Sequence, residues 1–367
     1  SGSSIQVYNA TVTITNTDCD EASYDFAITA EVTCAPTTIT ACSGNITAST
    51  ETTTCDKAVS YTVTADGYPT PTVTYAFSGV TTGSGSGTGS GSTFAIGVTH
   101  VKVVTTNACG IDSCEFDVTV EDNTNPIATT QNLTVYLDAN GAASITAAQI
   151  NNGSSDACGV DTVYLNNYDF ACSNVGANTV TLTVVDNNGN TDTETATVTV
   201  VDTVAPVALC QNVTVTLANG TASITTGDID DSSNDACGIL SLDVNTSSWD
   251  CNDIGNHTVT LTVTDNNDNV STCDATVTVV GTIPSVTITD SELPEFCQGG
   301  TIVLTANATD GASFDYDWST GETADEIQVS SADTFSVEVT NNYGCTASDA
   351  FYVDYDREDL VSAYTII

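Results

Sequence analysis

Basic residues are almost absent: Lys57, Lys102 and Arg357 are the whole supply against 47 Asp and Glu, giving a formal net charge of −44 over 367 residues. A nucleic-acid binder tracks phosphates with clustered Lys and Arg, so that class is excluded, and anionic membrane surfaces with it. No run approaches 18 apolar residues, so no helix-type membrane insertion is expected. Methionine is missing, and the chain opens on Ser1 in mid-pattern without a secretory leader. It therefore reads as a processed product or a portion of something longer. The 14 cysteines include no Cys-x-x-Cys, the close spacing that zinc ribbons and redox motifs need. Disulfides in an oxidising, extracellular compartment are the expectation.

What is present is a strand-and-turn vocabulary. Charged residues are only 14% and hydrophobic ones 40%, so the acidity reflects missing Lys and Arg rather than a disordered acidic tail. An internal repeat organises the middle of the chain. PIATTQNLTVYLDANGAASIT opens residues 126–205 and PVALCQNVTVTLANGTASIT opens residues 206–283, with SSDACGV matching SNDACGI and VGANTVTLTVVDNNGN matching IGNHTVTLTVTDNNDN further on. Within each copy apolar residues alternate with Thr, which makes strands with one buried and one wet face. Turn signals such as Asn140-Gly141 and Asn188-Gly189 separate them. The fold class expected is all-β, tandem immunoglobulin-like sandwiches in a rod.

Comparing the copies also bears on the disulfides. Cys158 and Cys172 correspond to Cys237 and Cys251, whereas Cys210 and Cys273 face Thr130 and Glu194, so both members of that pair are absent together. Bonded partners behave that way, and the expected bonds are Cys158–Cys172, Cys237–Cys251 and Cys210–Cys273.

Residues 37–125 carry Cys42-Ser-Gly-Asn-Ile-Thr, a second Cys, STFAIGVTHV and CEFDVTV. This stretch resembles a hyalin-repeat (HYR) module, departing from the pattern at Asp66-Gly67-Tyr68, where an Asn-Cys is expected. Residues 126–283 resemble related modules of large Bacteroidota surface proteins, including gliding-motility adhesins. Residues 284–357 resemble a PKD-like or immunoglobulin-like module, with Trp318 in a core strand. The resemblance implies Cys42–Cys114, then Cys55–Cys109, and a closing Cys297–Cys345. Segment 1–36 is an incomplete module in which Cys19 and Cys34 are left to pair. Segment 358–367 is a strand-like tail, read either as the start of a following domain or as a strand donated to a neighbour.

Oxygen-rich loops are the metal candidates. Asp186, Asn188 and Asn190, and likewise Asp265, Asn267 and Asn269, alternate along tight loops that suit structural Ca²⁺, although the Gly and bidentate Glu of an EF-hand are missing. An Asx-rich hairpin turn is the other reading. Asp122 before Pro126 and Asp202 before Pro206 sit where cadherin-like chains hold calcium between domains, a solvated linker being the other reading. The bacterial resemblance implies O-glycosylation at the Asp-Thr-Val sites Thr162 and Thr203; sequons at Asn9, Asn132, Asn212 and Asn307 are expected by chance in so Asn- and Thr-rich a chain.

Catalysis finds little support. His100 and His257 both lie in alternating runs, and no Gly-x-Ser-x-Gly is present. Gly83–Ser92, GSGSGTGSGS, has no following Lys and reads as a flexible surface loop. The function expected is a non-enzymatic stalk or fibre segment of a secreted, surface-exposed bacterial adhesin. Its partners are other copies or domains of the same surface protein, or surface glycans. A filament subunit joined through its terminal strands is the alternative, and an accessory carbohydrate-binding module the third, with aromatics at only 7%.

Overall fold

The structure is a computed structural model describing residues 5–14, 24–291, 295–296 and 300–355, with side chains over 34–291 and 300–354. It is all-β in tandem sandwiches. Contacts divide the chain into two compact units, one of Ser1–Val135, Ser144–Asp169 and Gly176–Val200, the other of Tyr136–Ala143, Phe170–Val175 and Val201–Ile367.

In the first unit the hairpin Ile5–Ile14 with Tyr24–Thr33 leads into a five-stranded sheet. Its order is Ile46–Ser49, Gly110–Glu121, Gly97–Asn107, Thr72–Gly79, Gly83–Ser86, with the Ile46 edge strand parallel and the other pairings antiparallel. Period-two alternation produces the layer: Val101 and Val103 are buried with Phe116 and Val118, while His100 and Lys102 between them face water. Two short ladders, Ala35–Cys42 with Val63–Tyr68 and Asp56–Ala58 with Thr93–Ala95, bring Ile39, Val63 and Phe94 to the same core.

The glycine-serine stretch departs from its expected flexibility. Gly83–Ser86 pairs with Thr72–Gly79 as an edge strand, and Gly85 and Gly89 lie against aromatic rings. A Cβ on Gly85 would sit 2.8 Å from the Tyr75 ring, and one on Gly89 2.8 Å from Phe77 and Tyr75. Ser90 Oγ donates to Tyr61 O and accepts from Tyr61 N, and Tyr61 Oη donates to Thr88 O. Burial pushes the Tyr61 hydroxyl up to about 12, helped by neighbouring Tyr75. The composition that mimics a linker is here a surface that only glycine can press onto a ring.

In the second unit, residues 206–283 form a sheet in the order Val213–Thr216, Val270–Val280, Gly255–Asp265, Ile239–Val244, with the first pairing parallel. The ladder Thr221–Ser223 with Ser248–Asp250 places Ala222 and Trp249 over it. Val259, Leu261 and Val263 are fully buried, each contributing roughly 1.5–3 kcal/mol of transfer free energy. In the first unit Val160–Leu165, Gly176–Asp186 and Thr191–Val201 repeat that order for the earlier copy. The last sandwich sets Ser285–Asp290, Ile302–Thr309 and Glu326–Val329 against Phe314–Trp318, Asp333–Asn341, Thr346–Tyr355 and Glu295–Phe296. Trp318 is buried there, as a core strand requires, and its indole N–H donates to Ala324 O at 2.9 Å.

Candidate functional site

The cysteines make a pattern that repeat comparison alone did not reveal. Cys42–Cys114 and Cys210–Cys273 pair as expected. The other described bonds are Cys34–Cys109, Cys55–Cys158, Cys172–Cys237 and Cys251–Cys345. Cys158 therefore bonds Cys55 rather than Cys172, Cys237 bonds Cys172 rather than Cys251, and Cys109 bonds Cys34 rather than Cys55. Cys345 bonds Cys251 rather than Cys297, while Cys19 and Cys297 lie outside the described residues. All six pairs have Cα atoms 4.8–6.1 Å apart, inside the range a disulfide spans.

Strand geometry explains the correction. Cys237 immediately precedes Gly238 and Ile239, and Ile239 faces Asp265 at one end of strand Gly255–Asp265. Cys251 opens the short turn Cys251–Asp253 that feeds Gly255, at the other end of the same strand. Eleven residues at about 3.3 Å each hold the two sulfurs some 30 Å or more apart, so they cannot meet. Each copy thus offers one cysteine toward the preceding segment of chain and one toward the following segment. Both copies keep both, and joint retention says nothing about who bonds whom.

Glycines let the backbones close around these bonds. Gly141 has φ +72°, and a Cβ there would lie 2.5 Å from Cys172 Sγ. Gly220 N–H donates to Tyr343 O at 2.8 Å, and a side chain on Gly344 would strike the backbone of Asn219 and Gly220. Cys345 is 1% exposed and joins the core of Leu217, Trp249 and Val259. Of the Asn-Gly turns read from sequence, Asn140-Gly141 packs against Cys172, whereas Gly189 faces open space.

The oxygen-rich loops are used as turns. Asp186 is almost fully buried; its Oδ1 accepts from Asn188 N and Asn190 N, and its Oδ2 accepts from Asn190 Nδ2 at 2.8 Å. Burial alone would raise its carboxyl, but the Asn190 amide and the backbone N–H groups of Asn188, Asn190 and Gly189 hold it below the ordinary range. Asp265, Asn267 and Asn269 repeat this arrangement. Carboxylate oxygens engaged by three donors do not present a cation site, and Asn190 and Asn269 aim nitrogen, not oxygen, at the aspartate.

The same two asparagines reach onward. Asn190 Nδ2 donates to Asp122 O and Asn269 Nδ2 to Asp202 O. Asp122 and Asp202 are 7% and 6% exposed, and in each the Oδ2 atom is buried with no hydrogen-bond partner. Asp122 Oδ1 accepts from Thr50 Oγ1 and Thr124 N, and Asp202 Oδ1 from Val204 N. Facing them are Asp156 and Asp235, each accepting from the N–H of the cysteine two residues on. One oxygen from each aspartate pair and the neighbouring Sγ, of Cys158 or Cys237, lie within 4.8 Å of one another. Both sulfurs are consumed in disulfides, which leaves two carboxylates. Two like charges that close repel by roughly 3 kcal/mol at an effective dielectric of 20. Asp156 and Asp235 were not singled out from sequence, although the Asp-Ala-Cys-Gly block in both copies carried the signal.

The remaining expected residues have ordinary roles. His100 Nδ1 lies 3.0 Å from Asp117 Oδ1 and Lys102 Nζ 2.6 Å from Glu115 Oε1, a cross-strand charge ladder in water. Hydrogen bonding and charge from Lys102 lower the Glu115 carboxyl. His257 is partly buried, with Nε2 2.6 Å from Asp253 O and its ring beside Trp249. Lys57 pairs with Glu51. Thr162 and Thr203 are exposed. A polar concavity of about 560 Å³ on the last sandwich is lined by Asp317, Ser336, Glu338, Ser348 and Asp349, while the one aromatic in its lining, Trp318, is itself buried.

No family profile and no curated protein matches this chain. Solved structures that align with it are strings of extracellular domains. The protocadherin gamma B4 extracellular domain is 13% identical over 96% of this chain and 78% of its own, with a TM-score of 0.29. The N-terminal eight Ig domains of the Down syndrome cell adhesion molecule are 10% identical over 96% and 82%, with a TM-score of 0.24. Immunoglobulin domains 1–4 of Sidekick-1 are 11% identical over 88% and 99%, with a TM-score of 0.22.

Proposed function

We propose that this chain is a structural, non-enzymatic segment of an extracellular stalk belonging to a bacterial cell-surface adhesin. Its modules would be 37–125, 126–205, 206–283 and 284–357, preceded by the incomplete 1–36 and followed by the tail 358–367. The observation that carries the reading is the order of the disulfides. Cys55–Cys158, Cys172–Cys237 and Cys251–Cys345 each join one proposed module to the next, closing stretches of 103, 65 and 94 residues.

Tension makes sense of that order. The shortest covalent path from Cys34 to Cys345 runs through segments 34–55, 158–172 and 237–251, roughly 50 residues or about 170 Å at full extension. The same stretch without bonds is roughly 310 residues and about 1,050 Å. Load carried along the stalk would pass through sulfur bridges and these three segments, with their strands Ala35–Cys42, Val160–Leu165 and Ile239–Val244, and would bypass the long paired strands Gly97–Asn107 with Gly110–Glu121, Gly176–Asp186 with Thr191–Val201 and Gly255–Asp265 with Val270–Val280. Catalysis gains nothing from such an arrangement, and a tether does. The scarcity of Lys and Arg keeps such a surface soluble and self-repelling.

The filament alternative rests on the tail 358–367, which lies outside the described residues, and for the carbohydrate-binding alternative the concavity described has one aromatic in its lining, the buried Trp318, with the exposed Tyr352 beside it. The structural Ca²⁺ expected in the hairpin loops does not fit their filled hydrogen bonding; the acids at the junctions are the place for it. Peptide mapping of the oxidised protein without reduction tests the proposal. Peptides joined through Cys55–Cys158, Cys172–Cys237 and Cys251–Cys345 are expected, and recovery of Cys158–Cys172 or Cys237–Cys251 peptides would overturn it.

A further inference from the structure

We infer that Asp122 with Asp156, and Asp202 with Asp235, form two equivalent sites for a hard divalent cation of the Ca²⁺ class. The inference stands on the geometry of these pairs, whichever reading of function holds. Asp122 Oδ2 and Asp202 Oδ2 are buried oxygens without a donor, and each of these carboxylates brings an oxygen within 4.8 Å of one from a second carboxylate. A desolvated carboxylate oxygen demands a donor or a cation, and here a second carboxylate lies close by. Two oxygens coordinating one Ca²⁺ at about 2.3–2.6 Å stand up to about 5 Å apart, and the oxygens here lie within that limit, no more than 4.8 Å from one another.

Chemistry selects the ion. Cys158 and Cys237 are spent in disulfides and neither histidine belongs to the clusters, so no soft or imidazole ligand competes for zinc or copper. Beside the first pair an open concavity of about 550 Å³ is lined by Thr52, Thr124, Asn125, Ser155 and Asp156, leaving room for the waters that complete the shell. Two carboxylates and water give weak binding, in the range of about 0.1–1 mM used by extracellular modules.

The chain carries its own negative control. Ahead of the last sandwich Asn341 takes the part of the buried hairpin aspartate, its Oδ1 accepting from Tyr343 N and Cys345 N, and its Nδ2 donates to Thr282 O at 2.8 Å. Thr282 thus accepts through its backbone oxygen as Asp122 and Asp202 do, and neither it nor Gly281 before it has a carboxylate to offer. Among the described residues, binding is therefore expected twice and not three times.

The test is isothermal titration of the oxidised full chain with CaCl₂ in 150 mM NaCl, alongside Asp156→Asn, Asp235→Asn and the double variant. Asp156 and Asp235 are half-exposed, so these substitutions leave the folds intact, which thermal unfolding in EDTA checks. Two ions per chain, falling to one in either single variant and to none in the double, is the expected result. An unchanged stoichiometry in the double variant would show Ca²⁺ held diffusely by the acidic surface and would overturn the assignment. So would the absence of saturable binding below 10-fold above the expected range.

Discussion

Removing the Cys210–Cys273 bond by Cys210→Ser with Cys273→Ser isolates what one staple contributes to one sandwich. The bond closes a stretch of 63 residues, for which the chain-entropy relation gives about 4 kcal/mol at 25 °C. That is an upper figure, because Cys237 and Cys251 remain tethered to Cys172 and Cys345 and already restrict the unfolded segment. A loss of about 2–3 kcal/mol follows, equivalent to a fall of roughly 10–20 °C in the melting temperature of a sandwich this size. Trp249 reports locally: it is 5% exposed in the core that holds Cys210 and Cys273, while Trp318 belongs to a separate core. In a Trp318→Phe background, thermal unfolding followed by Trp249 fluorescence reads this sandwich alone. The earlier copy folds with Thr130 and Glu194 in these places, Thr130 Oγ1 donating to Thr195 O at 2.8 Å, so the variant is expected to fold. A shift below about 3 °C would refute the reasoning, since the staple would then add nothing that the neighbouring bonds do not already supply.

Three further outcomes are expected. Because the Asp186 carboxyl is held below its ordinary value, the folded state gains stability that is fully present above about pH 4, the unfolded value, and is lost as pH falls through the lower folded one. Asp186→Asn should flatten the dependence of stability on pH below 4 and cost about 1–3 kcal/mol at neutral pH, because Asn190 Nδ2 would lose an acceptor; equal acid sensitivity in both proteins by urea titration would contradict this. Gly89→Ala, at φ +76° against Phe77, should destabilise the 37–125 sandwich by roughly 1–3 kcal/mol, read by urea denaturation, and a neutral result would restore the view of this stretch as free linker. Gly344→Ala should open the contact with Asn219 and Gly220 and expose Cys251–Cys345 to reductant, giving faster loss of that bond by mass spectrometry; an unchanged rate would mean the contact does not guard it.

The fold was legible because its signals are local. Alternating Val and Thr in TVTLTVTD dictates a half-buried strand, and Val259, Leu261 and Val263 fall on the buried face accordingly. Cys210–Cys273 was legible because one copy lacks both members. What the sequence hid is relational. Cys158 and Cys172 lie near each other in the chain yet at opposite ends of a strand plan, and their partners lie in other segments. The loop Asp186–Asn190 looked like a ligand set because residue types alone do not say whether an asparagine aims its oxygen or its nitrogen. The unpartnered Oδ2 of Asp122 could be seen only once burial was known, and with it the relevance of Asp156. The glycine-serine run misled for the converse reason, since its purpose depends on Tyr75 and Phe77 lying beneath it.

The most direct test of the account is to stretch single oxidised chains between residues 34 and 345 and measure contour length before and after adding reductant. A length limited to about 170 Å that jumps by roughly 900 Å only when the bonds are cut is the predicted result. Unfolding of successive sandwiches to several hundred ångströms without reductant would contradict it, because the load would then be running through the long paired strands that the bonds bypass.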